Sequence, residues 1–516
     1  MGPQVLVLWS MIWLSEIPFG FVRIVPFAND ILPNYDVAIV GSGFASSFFL
    51  LGYLPRAPRN AKIVVLERGS LKDTTATMEE RKAPSSTYVS ANSTSDIPFR
   101  QTGDPGKAWM FSLGFGGGSK CWWGNTPRFL PADFETRSRF GVGRDWPFGY
   151  DELSPYYDRV ETAMSIAGPT GPWPFPRNGP YPQPPHRMND AERMLAAAWP
   201  ESFFTVPCAR SRIAIPDRNV CCGNGICSNC PVDAKFTVRN GLAGVYDDPR
   251  VTVLGEAEVI AIETVNKVAR SVLFRLGGKE QSVSAELVVL GANALFNPII
   301  LQRSSLNHAV LGKGLHEQVG LVAEVFLDGI DCFQGSTSVT GHSYQLYTDD
   351  ERRKKMAACL VETWNVGNLR AEPGRWQQVL PVRLVYEDLP EPRNHVAFDA
   401  ENPDEPLLHY EGHSDYTARA LERAEEDLAR VVAPLPVESI AVRPRPEATE
   451  AHILGTTPMG NDPSDSIVDS NSIHHEVHNL VVLGGGTFPA SGPSNPTLTL
   501  SALALRAAER LTGLPT

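Results

Sequence analysis

YDVAIVGSGFASSFFLLGYLPRAPRNAKIVVLERG, running from Tyr35 to Gly69, is the stretch that decides how this chain folds. Val37–Val40 is a short apolar run suited to a strand covered on both faces, and Gly41 ends it. A helical stretch follows, stopped by Pro55, and Lys62–Leu66 makes a second buried strand with Glu67 at its end. The order predicts a βαβ unit with a G-x-G turn. Gly41 and Gly43 allow the backbone close to a pyrophosphate, and the helix N-terminus faces that charge. Glu67 is placed to accept a hydrogen bond from a ribose hydroxyl, and Ser46, where a third glycine is usual, is small enough for helix–strand packing. An ordinary βα turn would share the glycines, but the flanking strands and the terminal acid favour a dinucleotide. The unit does not distinguish NAD from FAD.

At 516 residues the chain is too long for one ordinary core and predicts two intimately associated domains. A net charge of −12 argues against nucleic acid or an anionic membrane surface as a broad partner. The apolar VLVLWSMIWL (Val5–Leu14) is ten residues long and soon followed by Glu16. It is too short for a transmembrane segment and lacks the basic start and small-residue cleavage site of a signal peptide. It reads as an apolar arm or a misplaced start, and the expected localisation is cytoplasmic.

Beyond the βαβ unit, LGFGGGSKCWWGNTPRF (Leu113–Phe129) has five glycines in its first twelve residues. Such backbone can lie against a planar or phosphorylated ligand, and Cys121, Trp122 and Trp123 are too bulky for a flexible linker. Residues 167–187 hold eight prolines and read as a rigid surface excursion. DDERRKK (Asp349–Lys355) reads as a solvated helix face, and HHEVH (His474–His478) as surface. Leu287–Leu290 is another buried strand, closed by Gly291. Near the end, NLVVLGGGTFPASGPSNPTLTLSALALRAAERL (Asn479–Leu511) reads as strand, triple-glycine turn, loop and helix. Asn495 sits where an N-cap would, with Pro496 at the first helical position. That helix start favours an anion in front of it.

Eight cysteines are too few for a disulfide scaffold, yet four lie within NVCCGNGICSNCP (Asn219–Pro231). Cys222, Cys227 and Cys230 have C-x4-C-x2-C spacing, and a proline follows the last. Zinc normally wants two separated ligand pairs. Soft ligands clustered on a loop suit an iron–sulfur cluster, and a cysteine-bearing loop without metal is the alternative.

Taken as a set, the GSGFAS turn with Glu67, the GGGSKCWWGNTPRF loop and DWPFGYDELSPYYDRVE (Asp145–Glu161) resemble the glucose–methanol–choline (GMC) oxidoreductases. So do LVVLGANALFNPIILQRS (Leu287–Ser304), HILGTTPMG and GGGTFPASGPSNPTLTLSALAL. Pyranose oxidases and FAD-dependent sugar dehydrogenases are the nearest members. The resemblance implies an α/β fold, with a discontinuous Rossmann-like FAD-binding domain (35–145, 220–320, 446–516) after an arm at 1–34. A β-sheet substrate domain (146–219 and 321–445) is interleaved with it.

The activity implied is oxidation of a CH–OH group of a sugar, glycoside or polyol by hydride transfer to FAD. The catalytic pair maps onto His452 as base and Asn495 as hydrogen-bond donor to the oxygen. Gly117, Gly118, Ser119, Cys121 and Trp122, with Gly485, Pro496 and Thr497, complete the expected cofactor contacts. Cys121 stands where pyranose oxidases can carry an FAD-linked histidine, so FAD is expected to be non-covalent. The cysteine run is similar to one in sugar dehydrogenases that relay electrons through an iron–sulfur cluster, but its last spacing is one residue shorter. The electron acceptor is oxygen, a quinone or a redox protein, and a small partner subunit would accompany a dehydrogenase. A lyase with non-redox flavin and an electron-transfer subunit are the rival readings.

Overall fold

A computed structural model describes residues 31–71, 99–171, 173–225, 227–403 and 405–513. The apolar arm Val5–Leu14 lies outside them. The run at 37–40 becomes the strand Asn34–Val40, paired in parallel with Ile63–Leu66 on one side and Lys279–Leu290 on the other. Val37, Ile39, Ile63 and Val65 are fully buried, as strands covered on both faces require. Val251–Leu254 extends the sheet beyond Ile63–Leu66, and Leu480–Val482 joins Lys279–Leu290 near its C-terminal end. An antiparallel pair, Glu258–Val265 and Val268–Leu276, completes seven strands. The helix Phe44–Tyr53 covers this sheet and packs on the C-terminal helix Thr497–Leu511. Gly52 permits that approach, because a Cβ there would lie 2.9 Å from a Leu505 methyl. Strands far apart in sequence thus form one sheet, the discontinuous arrangement expected.

The second sheet is antiparallel and six-stranded, in the order Val437–Val442, Val319–Leu327, Val379–Tyr386, Cys359–Trp364, Val339–Ser343, Phe203–Thr205. One face buries Val325, Leu380, Val382 and Leu384 with Leu428 and Val431 of the amphipathic helix Ala424–Val432. Strand alternation turns Glu362, Trp364 and Arg383 to the opposite face. A three-stranded sheet of His395–Ala397, Leu407–Tyr410 and Arg100–Gly103 stands apart from both. Among the described residues, no helix is long and apolar enough to cross a membrane.

Buried polar side chains contradict the surface readings at two places. In DDERRKK, Arg352 and Arg353 are buried, Arg352 on Asp427 (2.5 Å) and Arg353 on Asp133 (2.9 Å) and Glu387 (2.7 Å). Partners supplied by distant segments offset the cost of desolvating them, which a local charge pattern cannot reveal. In HHEVH, His474 is buried beneath the turn that precedes Leu480–Val482, while His478 is exposed. The proline-rich stretch also sinks Phe175, Tyr181 and Gln183 into the protein.

Arg128, the arginine of TPRF, shows how two of the sequence motifs meet. Its fully buried guanidinium donates through Nε and Nη2 to the two oxygens of Glu161, 2.8 Å each. Glu161 lies on the helix Tyr150–Met164 formed by the DELSPYYDRVE stretch. Bidentate pairs of this kind are geometrically demanding. Removing Glu161 leaves Arg128 with only the half-exposed Asp158 (2.5 Å) as an acid and takes from the buried Arg177 its partner at 2.9 Å, in a medium that solvates both poorly. The Glu161→Ala protein is therefore expected to lose about 3–5 kcal/mol of stability, read as a lower denaturation midpoint in urea at an unchanged slope.

Candidate active site

The ends of the parallel strands, the glycine-rich loop and the free face of the antiparallel sheet enclose a cavity of about 510 Å3. At one end lie Gly41, Gly43 and Glu67. Gly117, Gly118, Cys121 and Trp122 line its side, and His452, Gly485, Asn495, Pro496 and Thr497 approach from the C-terminal segments. Twelve of the fourteen expected catalytic and cofactor residues therefore face one space. Ser46 and Ser119 do not: Ser46 packs its hydroxyl against Gly291, and Ser119 accepts a hydrogen bond from the Val238 amide (3.1 Å).

Backbone clearance shapes the first end. Gly41 has φ +86°, and a Cβ on it would lie 2.6 Å from the Gly291 carbonyl oxygen, so both conformation and space require glycine. In front of Gly43 and Gly118 a Cβ would meet nothing, which leaves open cradles beside the start of Phe44–Tyr53. No side chain caps that helix, so its first amides face the cavity unpaired by a cap. Glu67 does something the sequence did not suggest. Its Oε2 accepts from the Ser42 amide (3.0 Å) and hydroxyl (2.6 Å), and its Oε1 from the amides of Gly69 (2.8 Å) and Gly114 (3.1 Å). Four protein donors occupy the carboxylate that was expected to meet a ribose. The residue ties the G-x-G turn to the glycine-rich loop.

The other end is lined by buried polar atoms. His452 Nδ1 and Asn495 Oδ1 are both buried and have no hydrogen-bond partner. Asn495 is not the helix cap: the helix begins at Thr497 after Pro496, without a side-chain cap bond, which leaves the Asn495 amide group for the cavity. Burial pushes the His452 pKa down to about 4, partly opposed by the charge of Glu362, so the imidazole is neutral at neutral pH. Around it stand residues that sequence reading missed. Glu362 lies opposite both His342 and Arg383 in the sheet register, 3.4 Å from His342 Nε2, and accepts from Asn125 Nδ2 at 3.1 Å. Burial works against its charge, but these neighbours outweigh it and hold its carboxyl below the usual range. Arg383 Nη2 is 2.7 Å from Glu450, whose carboxyl burial raises to about 7. Gly320 makes the room for that carboxylate, since a Cβ there would overlap it. Trp123 and Trp364 form an aromatic wall, with ring centroids 5.0 Å apart. The signal was present: a charge inside each of the apolar strands CLVETW and VLPVRLVY.

Residues 390–504 match the family model described as GMC oxidoreductase. Over that segment the chain resembles GMC oxidoreductases. It is similar to the fructose dehydrogenase large subunit of Gluconobacter japonicus, 28% identical over 444 residues that cover 77% of this chain and 80% of that one. It is likewise similar to paromamine 6′-oxidase of Streptomyces fradiae, 27% identical over 447 residues, 80% of each chain. The fold is shared with pyridoxine 4-oxidase from Mesorbium loti, with a TM-score of 0.64 and 17% identity over 94% of this chain and all of that one.

GMC oxidoreductases bind FAD, and the cavity's chemistry fits it: open backbone cradles at one end, unpartnered His452 and Asn495 at the other, and glycine backbone between. For the cysteine run, the geometry favours the metal-free loop over an iron–sulfur cluster. Among the described residues, no three His, Cys, Asp or Glu side chains gather as a metal ion requires. Cys227 is buried 2.9 Å from the Ser338 hydroxyl, Cys230 accepts from the Ala234 amide (3.2 Å), and Cys222 is exposed. The run is instead held by Lys235, whose buried ammonium donates to the carbonyls of Trp122 (2.7 Å), Cys227 (2.8 Å) and Lys120 (2.9 Å). It thereby clamps the run to the glycine-rich loop, and Ser228 reaches the cavity.

The donors on Glu67 all come from the protein, so its contribution should be visible without cofactor. Glu67→Gln presents an NH2 group to donors, and the flavin-free protein is expected to lose about 1.5–3 kcal/mol, read as a lower melting temperature. A role limited to holding ribose would leave flavin-free melting unchanged.

Proposed function

We propose that this chain is a GMC oxidoreductase that converts a CH–OH group of a sugar, glycoside or polyol to the carbonyl, with His452 as the base. The observation that carries the reading is the pair of buried, unpartnered atoms, His452 Nδ1 and Asn495 Oδ1, that face the same cavity. An orphaned polar atom in a dry site costs free energy that a substrate hydroxyl recovers on binding. The side-chain amide of Asn495 can hold the substrate oxygen at any pH. The neutral imidazole of His452 takes the hydroxyl proton as the carbon gives up its hydride, so the oxygen is left as a neutral carbonyl. FAD, when bound, supplies the acceptor for the hydride. The start of Thr497–Leu511 places unpaired amides beside the cavity and favours negative charge there.

A polyhydroxylated substrate is supported by the rest of this end. Arg383 Nε and Trp364 Nε1 are buried donors with no partner, Glu450 and Glu362 are acceptors, and the two indoles offer flat apolar faces to a sugar ring. The named activities of the similar proteins, a fructose dehydrogenase and a paromamine oxidase, point the same way.

The test is anaerobic mixing with D-glucose, D-fructose, methyl β-D-glucopyranoside and glycerol while flavin absorbance is followed. Bleaching is expected with at least one, and persistent colour with all four would overturn the reading. His452→Ala should slow bleaching by about 10²–10⁴-fold with flavin still bound. Because only the neutral imidazole accepts a proton, His452 should not slow wild-type bleaching near the ordinary histidine pKa, where Glu450 is the group in this wall that titrates. Bleaching should decline as pH drops through about 4, where His452 becomes protonated.

A further inference from the structure

The strand Val319–Leu327 is entered through His316, Glu317 and Gln318, all three buried. Each is bonded to one of the two distant segments that bring His452 and Asn495 to the cavity. His316 exchanges backbone hydrogen bonds with Leu454, 2.9 and 3.2 Å. Glu317 Oε2 accepts from the His452 amide and from the Thr449 hydroxyl, 3.1 Å each. The other Glu317 oxygen is paired with the Lys107 ammonium, which also donates to the Ala448 carbonyl (3.2 Å) and lies over the Trp109 ring at 4.4 Å. Gln318 reaches the second segment: its side-chain amide donates to the carbonyls of Gly492 and Ser494, 3.0 Å each. Ser494 immediately precedes Asn495.

Two further observations say that this junction is built for position. Ala451, the residue before His452, has φ +58°, a left-handed conformation that a non-glycine residue keeps only when its surroundings hold it. The Glu317 bonds on either side and the Ala451 amide on Thr449 Oγ1 (2.9 Å) supply that hold. A buried carboxylate–ammonium pair is also a weak source of stability, because desolvation offsets its attraction. Glu317 and Gln318 do not line the cavity, so neither touches substrate.

We propose that Glu317 and Gln318 are positioning residues that set the spacing between the His452 imidazole and the Asn495 amide. Glu317 acts through the backbone of His452, and Gln318 acts through the turn that ends at Asn495. The inference rests on the reading of His452 and Asn495 as the pair that handles the substrate hydroxyl. Errors of about 1 Å in such a geometry cost on the order of 10²-fold in rate.

The experiment uses flavin-loaded Glu317→Gln and Gln318→Met proteins, with whichever of the four alcohols above bleaches the wild type. Each variant is expected to retain full flavin and to bind the alcohol within about threefold of wild type. The bleaching rate constant at saturation should fall about 10²-fold. If Glu317 works only through His452, Glu317→Gln should add no further loss in a His452→Ala background. Rate constants per bound flavin within twofold of wild type in both single variants would overturn the proposal, even with lowered melting temperatures. So would a full additional loss in the double variant. A wild type that none of the four alcohols bleaches overturns the functional reading and takes this one with it. A normal rate in His452→Ala removes the base and overturns the proposal that Glu317 positions it.

Discussion

The carboxylate of Glu67 gathers four donors from three separate loops, and the cavity's walls follow from that one group. An ionised carboxylate has about four acceptor positions, and leaving any of them dry is costly, so the turn at Ser42, the strand end at Gly69 and the loop at Gly114 are drawn together. With Gly114 placed, Gly117, Gly118 and the Cys121–Trp123 segment run along the side of the cavity. Lys235 then fastens that loop to the cysteine run from the far side. The nucleotide end is a set of backbone clearances held in place by one charge.

The opposite end follows another rule. The antiparallel sheet keeps an apolar face for its own helix and carries a polar row, His342, Glu362 and Arg383, on the other, with Glu362 and Arg383 lining the cavity. Registered strands place these side chains within reach of one another without long flexible connections. Glu450 is added from the His452 loop into the gap left by Gly320. Charges so arranged are weakly screened, which strengthens both their grip on a hydroxyl and their influence on a neighbouring imidazole. His452 remains neutral there because desolvation outweighs the nearby carboxylate.

Several features were legible in the chain because they are local. The βαβ unit declared itself through two apolar runs, a glycine turn and a terminal acid. The glycine-rich loop and the two C-terminal stretches were recognisable by composition and spacing, and all converge on the cavity. What failed were readings that took a local pattern for its environment. DDERRKK looked solvated, yet Arg352 and Arg353 are neutralised by residues that no window would include. Asn495 looked like a cap because a proline followed it, yet the helix starts too late for it to serve. The cysteine spacing looked like a ligand set, yet its thiols turn to separate hydroxyl and amide partners.

The sequence by itself determined the βαβ order of the first sheet and the glycine turn that ends its first strand. These depend on periodicity and backbone sterics, which act over a few residues, whereas His452 and Asn495 were singled out by the resemblance of their motifs to a family. Only the tertiary structure decided that Glu67 would be saturated by protein donors, that Glu362, Arg383 and Glu450 would share a wall, and that His316–Gln318 would hold both C-terminal segments. Those outcomes depend on which distant polar groups satisfy each other once water is excluded, and that is settled only when the two sheets close on the cavity.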